Sequence, residues 1–137
     1  MTFEPDPLHI PLSELKGADH RDEHRPSWRG WIHTGVLPFV VAAGVLLIVF
    51  SDGWVAKTAA AIYFASSILL FGNSALYHRF NWRPGVKTLL KRIDHANIFL
   101  LIAGTYTPLS VSALNADDGA LLLIAVWVIA IFGMGFR

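Results

Sequence analysis

The chain has 137 residues, 54% of them hydrophobic and only 15% charged, with a formal net charge of +1 and no cysteine. An ordinary soluble domain carries about 25% charged residues, so this composition leaves too little polar surface for a water-soluble fold. The missing cysteines exclude disulfides, thiolate catalysis and thiolate metal ligation, and any metal would sit on imidazole nitrogen or carboxylate oxygen.

Residues 1–29 are polar and contain proline but no apolar run. They do not resemble a secretory signal, whose apolar core follows closely behind a basic start, and they read as a flexible polar tail. From residue 30 onward the chain is a transmembrane helical region. Four stretches approach the roughly 20 apolar residues that a spanning helix needs. The first is Trp31–Phe50, closed by Ser51-Asp52-Gly53, and the second is about Val55–Tyr77, with Lys57 at its margin. The third is Ile93–Leu114, and Asn115-Ala116-Asp117-Asp118-Gly119 separates it from the fourth, Ala120–Phe136. Pro38 and Pro108 fall inside the first and third spans, where kinks are expected and neighbouring helices can satisfy the freed carbonyls. A buried soluble bundle would need amphipathic helices with a polar face, and the fourth stretch has none. The predicted fold is all-α, a polytopic transmembrane helix bundle.

Basic residues set the direction of a membrane chain. Lys16, Arg21, Arg25 and Arg29 precede the first span; Arg79, Arg83, Lys87, Lys91 and Arg92 fill the second connection; Arg137 follows the fourth span. With alternating sides, ten basic residues lie on one face and Lys57 alone on the other. The rich face is expected in the cytoplasm, with the N-terminus there and Asp117 and Asp118 outside. The expected location is the plasma membrane.

Ionisable groups at the edge of a span are costly and raise a functional hypothesis. Ser74 and His78 are four residues apart near the end of the second span and share one helical face. Asp94 opens the third span, and His78 and Asp94 are predicted at similar depth on the same side. An imidazole, a hydroxyl and a carboxylate could then converge in one cytoplasm-facing pocket, with His78 ligating a metal and Ser74 or Asp94 holding its bound water. Each residue also has a structural reading. His78 and Asp94 suit the dipoles of the helix ends, and Ser74 can satisfy a carbonyl or aid close packing. His95 points about 100° away from Asp94 and reads as interfacial; His9, His20 and His24 belong to the solvated tail.

At these residues the sequence resembles a known family. Ser74-Ala75-Leu76-Tyr77-His78-Arg79-Phe80, Arg92-Ile93-Asp94-His95-Ala96-Asn97-Ile98 and Leu101-Ile102-Ala103-Gly104-Thr105-Tyr106-Thr107-Pro108 look like the bacterial hemolysin III family. That family belongs to the larger group containing the progestin and adiponectin receptors. The resemblance covers about residues 30–137. It implies seven spans, four of them in this chain, and a zinc ion near the cytoplasmic side held by three histidines. His78 matches the zinc ligand of the second span; Ser74 and Asp94 match the catalytic residues beside the zinc and its water, Asp94 being the water-orienting carboxylate. The chemistry implied is hydrolysis of a lipid amide, as in a ceramidase, while the bacterial branch carries a name derived from cell lysis.

Two departures matter. The family's remaining ligands form a His-x-x-x-His pair on its last span, and no histidine follows His95 here, which suggests a truncated chain. Relatives also carry a Glu…Asn…His pattern entering the first span, of which only His33 could match, and His33 is given no ligand role. A catalytic zinc takes about three protein ligands plus water. The chain alone is therefore expected to bind zinc weakly or not at all and to be inactive by itself. The competing reading is a non-enzymatic lytic or receptor-like membrane protein. The expected partners are membrane lipid and a lipid substrate, with no nucleic acid. Gly35, Gly44, Gly133 and Gly135 allow close helix approach and could support self-association.

Overall fold

A computed structural model describes residues 28–136 and consists of four helices in sequence: α1 Trp28–Phe50, α2 Gly53–Arg79, α3 Pro84–Ala113 and α4 Ala116–Gly135. All four are long and apolar enough to cross a membrane. Their ends follow from local chemistry. Gly53 has φ +77°, a left-handed conformation that only glycine takes without strain, and it turns the chain from α1 into α2. Asn115 caps α4, its side-chain oxygen accepting from the Asp118 amide at 2.9 Å. Asp117 and Asp118 occupy the first turn of that helix, where the dipole favours negative charge.

The third span departs from the sequence reading. Its helix starts at Pro84 rather than Ile93, because proline at the first helical position has its φ preset and needs no amide donor there. Most of the expected basic loop is therefore the first turns of a helix. Asp94 lies in the third turn, and no acidic residue stands in the first turn of α3, so the dipole explanation for Asp94 is withdrawn. His78 does lie in the last turn of α2. α4 likewise begins four residues before Ala120, because Asn115 supplies its cap. Both Pro38 and Pro108 are accommodated within continuous helices.

Burial is inverted relative to a soluble protein. Among the described residues the two largest side chains that are fully buried are Ser67 and Ser110. Ala59, Ala60, Ala103 and Ala130 complete the apolar core, while Leu121, Ile129 and Phe132 stand more than half exposed. This pattern suits a solvent of hydrocarbon, which gives large apolar groups no reason to hide and leaves close backbone packing to join the helices. Gly44 receives the ring of Phe64, Gly104 the Ser66 side chain, and Gly133 the ring of Phe99; nothing lies near Gly35 or Gly135. Two of the four glycines expected to serve self-association are thus occupied by the chain's own interfaces. Hydroxyls of Thr34, Thr58, Ser67, Thr105 and Thr107 donate to the carbonyl one turn back, as a helix without water requires.

Among the described residues each helix packs only on its neighbours in the chain. Asn73 donates to the Leu90 carbonyl at 3.3 Å and Asn97 to the Leu69 carbonyl at 2.9 Å, joining α2 to α3. The Trp127 indole donates to Thr107 Oγ1 at 3.2 Å, joining α3 to α4. α1 lies against a different face of α2, the one carrying Phe64, Phe71, Ser74 and His78.

Candidate functional site

α1 and α2 run antiparallel from the Gly53 turn, so the start of α1 meets the end of α2. Gly30 makes that meeting close: a Cβ there would stand 3.1 Å from His78 Cβ and 3.2 Å from its carbonyl carbon. One turn deeper, His33 Nδ1 and Ser74 Oγ share a hydrogen bond of 3.1 Å. Ser74 is 5% exposed and His33 half-buried. The His33 ring leans on Phe71, with centroids 5.6 Å apart, and Tyr77 meets the His78 ring edge-on at 4.7 Å. At the rim, the Arg79 guanidinium lies over the Trp31 ring, 4.9 Å from its centroid.

Ser74 differs from the other buried serines of α2. Ser66 and Ser67 donate back to their own helix, whereas Ser74 reaches across to another. A hydroxyl whose hydrogen bond goes to an imidazole has a fixed lone-pair direction and a proton partner, which a back-bonded hydroxyl lacks.

Asp94 is half-buried on α3. The pairings of Asn73 with Leu90 and of Asn97 with Leu69 place it level with the stretch of α2 one turn below Ser74. His78 is about two turns, roughly 10 Å, nearer the basic end. Along α2, Ser74 lies between the level of Asp94 and that of His78, and its hydroxyl is hydrogen-bonded to His33. The structure brings together Ser74, His78 and His33 at the α1–α2 contact and sets Asp94 on the neighbouring helix.

His33 is the residue that sequence reasoning undervalued. The signal was available: in an antiparallel pair, residues equally far from the turn face each other, and His33 and Ser74 are close to equidistant from Asp52-Gly53. Among the described residues no group of three or more His, Cys, Asp or Glu side chains could hold a metal ion. The donor set present does not by itself fit a catalytic zinc, which takes about three protein ligands.

The sequence pattern of the haemolysin-III related family matches residues 21–137. The chain is 35% identical over 100 residues to a protein named hemolysin-3 homolog from Bacillus subtilis (strain 168), covering 71% of this chain and 46% of that protein. It is 40% identical over 82 residues to hemolysin-3 from Bacillus cereus, covering 60% of this chain and 37% of that protein. The matched regions thus span less than half the length of these relatives. No solved structure matches the chain.

Proposed function

The chain belongs to the haemolysin-III related family, and on that footing we propose that it forms part of a zinc-dependent membrane hydrolase acting on a lipid amide, as a ceramidase does. The site faces the cytoplasm in this reading, at the basic end of the helices, with the chain multi-pass in the plasma membrane and its N-terminus inside. His78 contributes one metal-ligating imidazole, Asp94 the carboxylate that orients a water, and Ser74 a hydroxyl beside them. His33 acts through Ser74 and is a positioning residue. When bound, zinc would supply Lewis-acid activation of the water, with its remaining ligands drawn from outside the described residues.

The observation that carries this reading is the bond between His33 and Ser74 at 3.1 Å inside the membrane-spanning region. An ionisable side chain within a membrane span is by default a functional-site hypothesis, and His33 brings one to Ser74. The test is zinc binding by the 137-residue chain in detergent micelles, with His9, His20 and His24 replaced by Gln throughout to remove the tail imidazoles. Weak binding that falls at least about tenfold with His78→Ala, no less than the loss of an outer-shell partner costs, is the expected result. Binding unchanged by His78→Ala would remove the ligand assignment.

A second reading is supported by the relatives' names, which point to lysis: a non-enzymatic lytic protein. Leakage of a trapped dye from vesicles by metal-free protein, retained in His78→Ala, would favour it.

A further inference from the structure

α3 is too long for the bilayer it crosses. Its 30 residues measure about 45 Å at 1.5 Å per residue, against a hydrocarbon core of about 30 Å. Lys87, Lys91 and Arg92 forbid placing the surplus at the apolar side, so the turns before Ile93 stand among the lipid headgroups. Trp82 at the same end donates its indole proton to the Leu76 carbonyl at 3.1 Å, and the Arg79–Trp31 contact lies there too. Such amphipathic aromatic groups settle at the headgroup level.

At that depth Thr88, Lys91, Arg92 and His95 line a depression of about 240 Å³. They recur at spacings of three and four residues and form one side of the helix. This side is opposite the α2-facing one, marked by Leu90 and Asn97; one turn past His95, Phe99 leads from it toward Gly133 of α4. Thr88 Oγ1 donates to the Pro84 carbonyl at 3.0 Å and forms a wall. His95 Nδ1 donates to the Lys91 carbonyl at 2.6 Å, which fixes the ring and leaves Nε2 as its free polar atom. Asp94, the one acidic residue between positions 80 and 100, is one turn from Lys91 but does not line the depression. The cationic donors of the recess are Lys91 and Arg92, and no carboxylate lines it.

Directly below, the same side of α3 becomes apolar. Ile98, Ile102 and Leu109 continue the stripe at 49%, 47% and 54% exposure. A cationic recess at headgroup depth above an open apolar track has the two-part chemistry of one phospholipid. We infer that this face of α3 binds an anionic phospholipid, its phosphate on Lys91 and Arg92 beside His95 and one acyl chain along Ile98, Ile102 and Leu109. Ammonium and guanidinium groups both suit a phosphate oxygen, the guanidinium in a bidentate manner. A zwitterionic headgroup would bring a cation into a recess that offers it no partner.

The test reconstitutes the 137-residue chain in vesicles of equal phosphatidylglycerol and phosphatidylcholine. It is then extracted in mild detergent at high salt, and the retained lipid is counted by native mass spectrometry. One retained phosphatidylglycerol per chain is expected. It should drop at least about tenfold in Lys91→Gln/Arg92→Gln, which removes both charges that meet the anionic headgroup, and persist in Arg83→Gln/Lys87→Gln. The exchange variant Lys91→Arg/Arg92→Lys, with helicity checked by circular dichroism, should keep the lipid, which separates lost binding from lost folding. Equal loss in the two glutamine pairs would mean diffuse attraction and overturn the site. Equal retention of phosphatidylcholine, or displacement of the lipid by millimolar inorganic phosphate, would overturn the lipid assignment.

Discussion

Replacing His33 and Ser74 singly and together tests the contact between α1 and α2 in energetic terms. Ser74 is 5% exposed and its hydroxyl is 3.1 Å from His33 Nδ1. His33→Phe keeps a ring against Phe71 while removing the nitrogen, and Ser74→Ala removes the hydroxyl with almost no change in shape. Left alone, the Ser74 hydroxyl can turn to its own helix, as Ser66 and Ser67 do, so the bond is worth less than a stranded polar group would suggest. Side-chain hydrogen bonds between membrane helices average ~0.6 kcal/mol in double-mutant cycles and reach ~1.7. The coupling should fall in that range, which is about 3- to 16-fold in the unfolding constant at 1.4 kcal/mol per factor of ten. Reversible unfolding by SDS in bicelles, followed by tryptophan fluorescence, measures it: each single change destabilises, and the pair destabilises by less than the sum. Strict additivity, within the ~0.3 kcal/mol typical of independent sites, would show that the two side chains are neighbours without an interaction.

Gly104→Leu places a side chain where Ser66 now sits and should destabilise by about 1–3 kcal/mol, as overpacking does, while Gly72→Leu, with nothing within 4 Å of its added Cβ, should be nearly silent in the same assay. Among the described residues Ser110 Oγ is buried without a hydrogen-bond partner, so Ser110→Ala should leave stability unchanged or raise it by up to ~1 kcal/mol; a clear loss would reveal a partner for that hydroxyl. For orientation, a cysteine at Lys87 should react with an impermeant maleimide only from the cytoplasmic side and one at Asp117 only from outside, read by gel shift in inverted and intact vesicles; the reverse pattern would turn the topology over.

Hydropathy located all four helices, because length and apolar content are what a bilayer selects. It misplaced the start of α3 by nine residues, because hydropathy reports apolar content whereas Pro84 starts the helix in a stretch still rich in lysine and arginine. That displacement also changed the meaning of Asp94, from a first-turn residue to one three turns in. The family motif singled out Ser74, His78 and Asp94. The partner of Ser74 escaped because a hydrogen bond between helices depends on which faces meet, and hydrophobic spacing is nearly uniform around these spans. Gly44, Gly104 and Gly133 were similarly ambiguous: small residues announce close approach without naming what approaches.

The arrangement of the helices as a row, each touching only the next, bears on how the protein is assembled. Every contact between helices joins segments separated by one short connection, so forming it costs little loop-closure entropy. The chain can therefore be built as successive hairpins, with each newly inserted span docking on the one before it. Stability in such a string is close to a sum over adjacent pairs, as in repeat arrays. Damage at the Phe99–Gly133 junction would loosen α4 and leave the pairing of α1 with α2 standing.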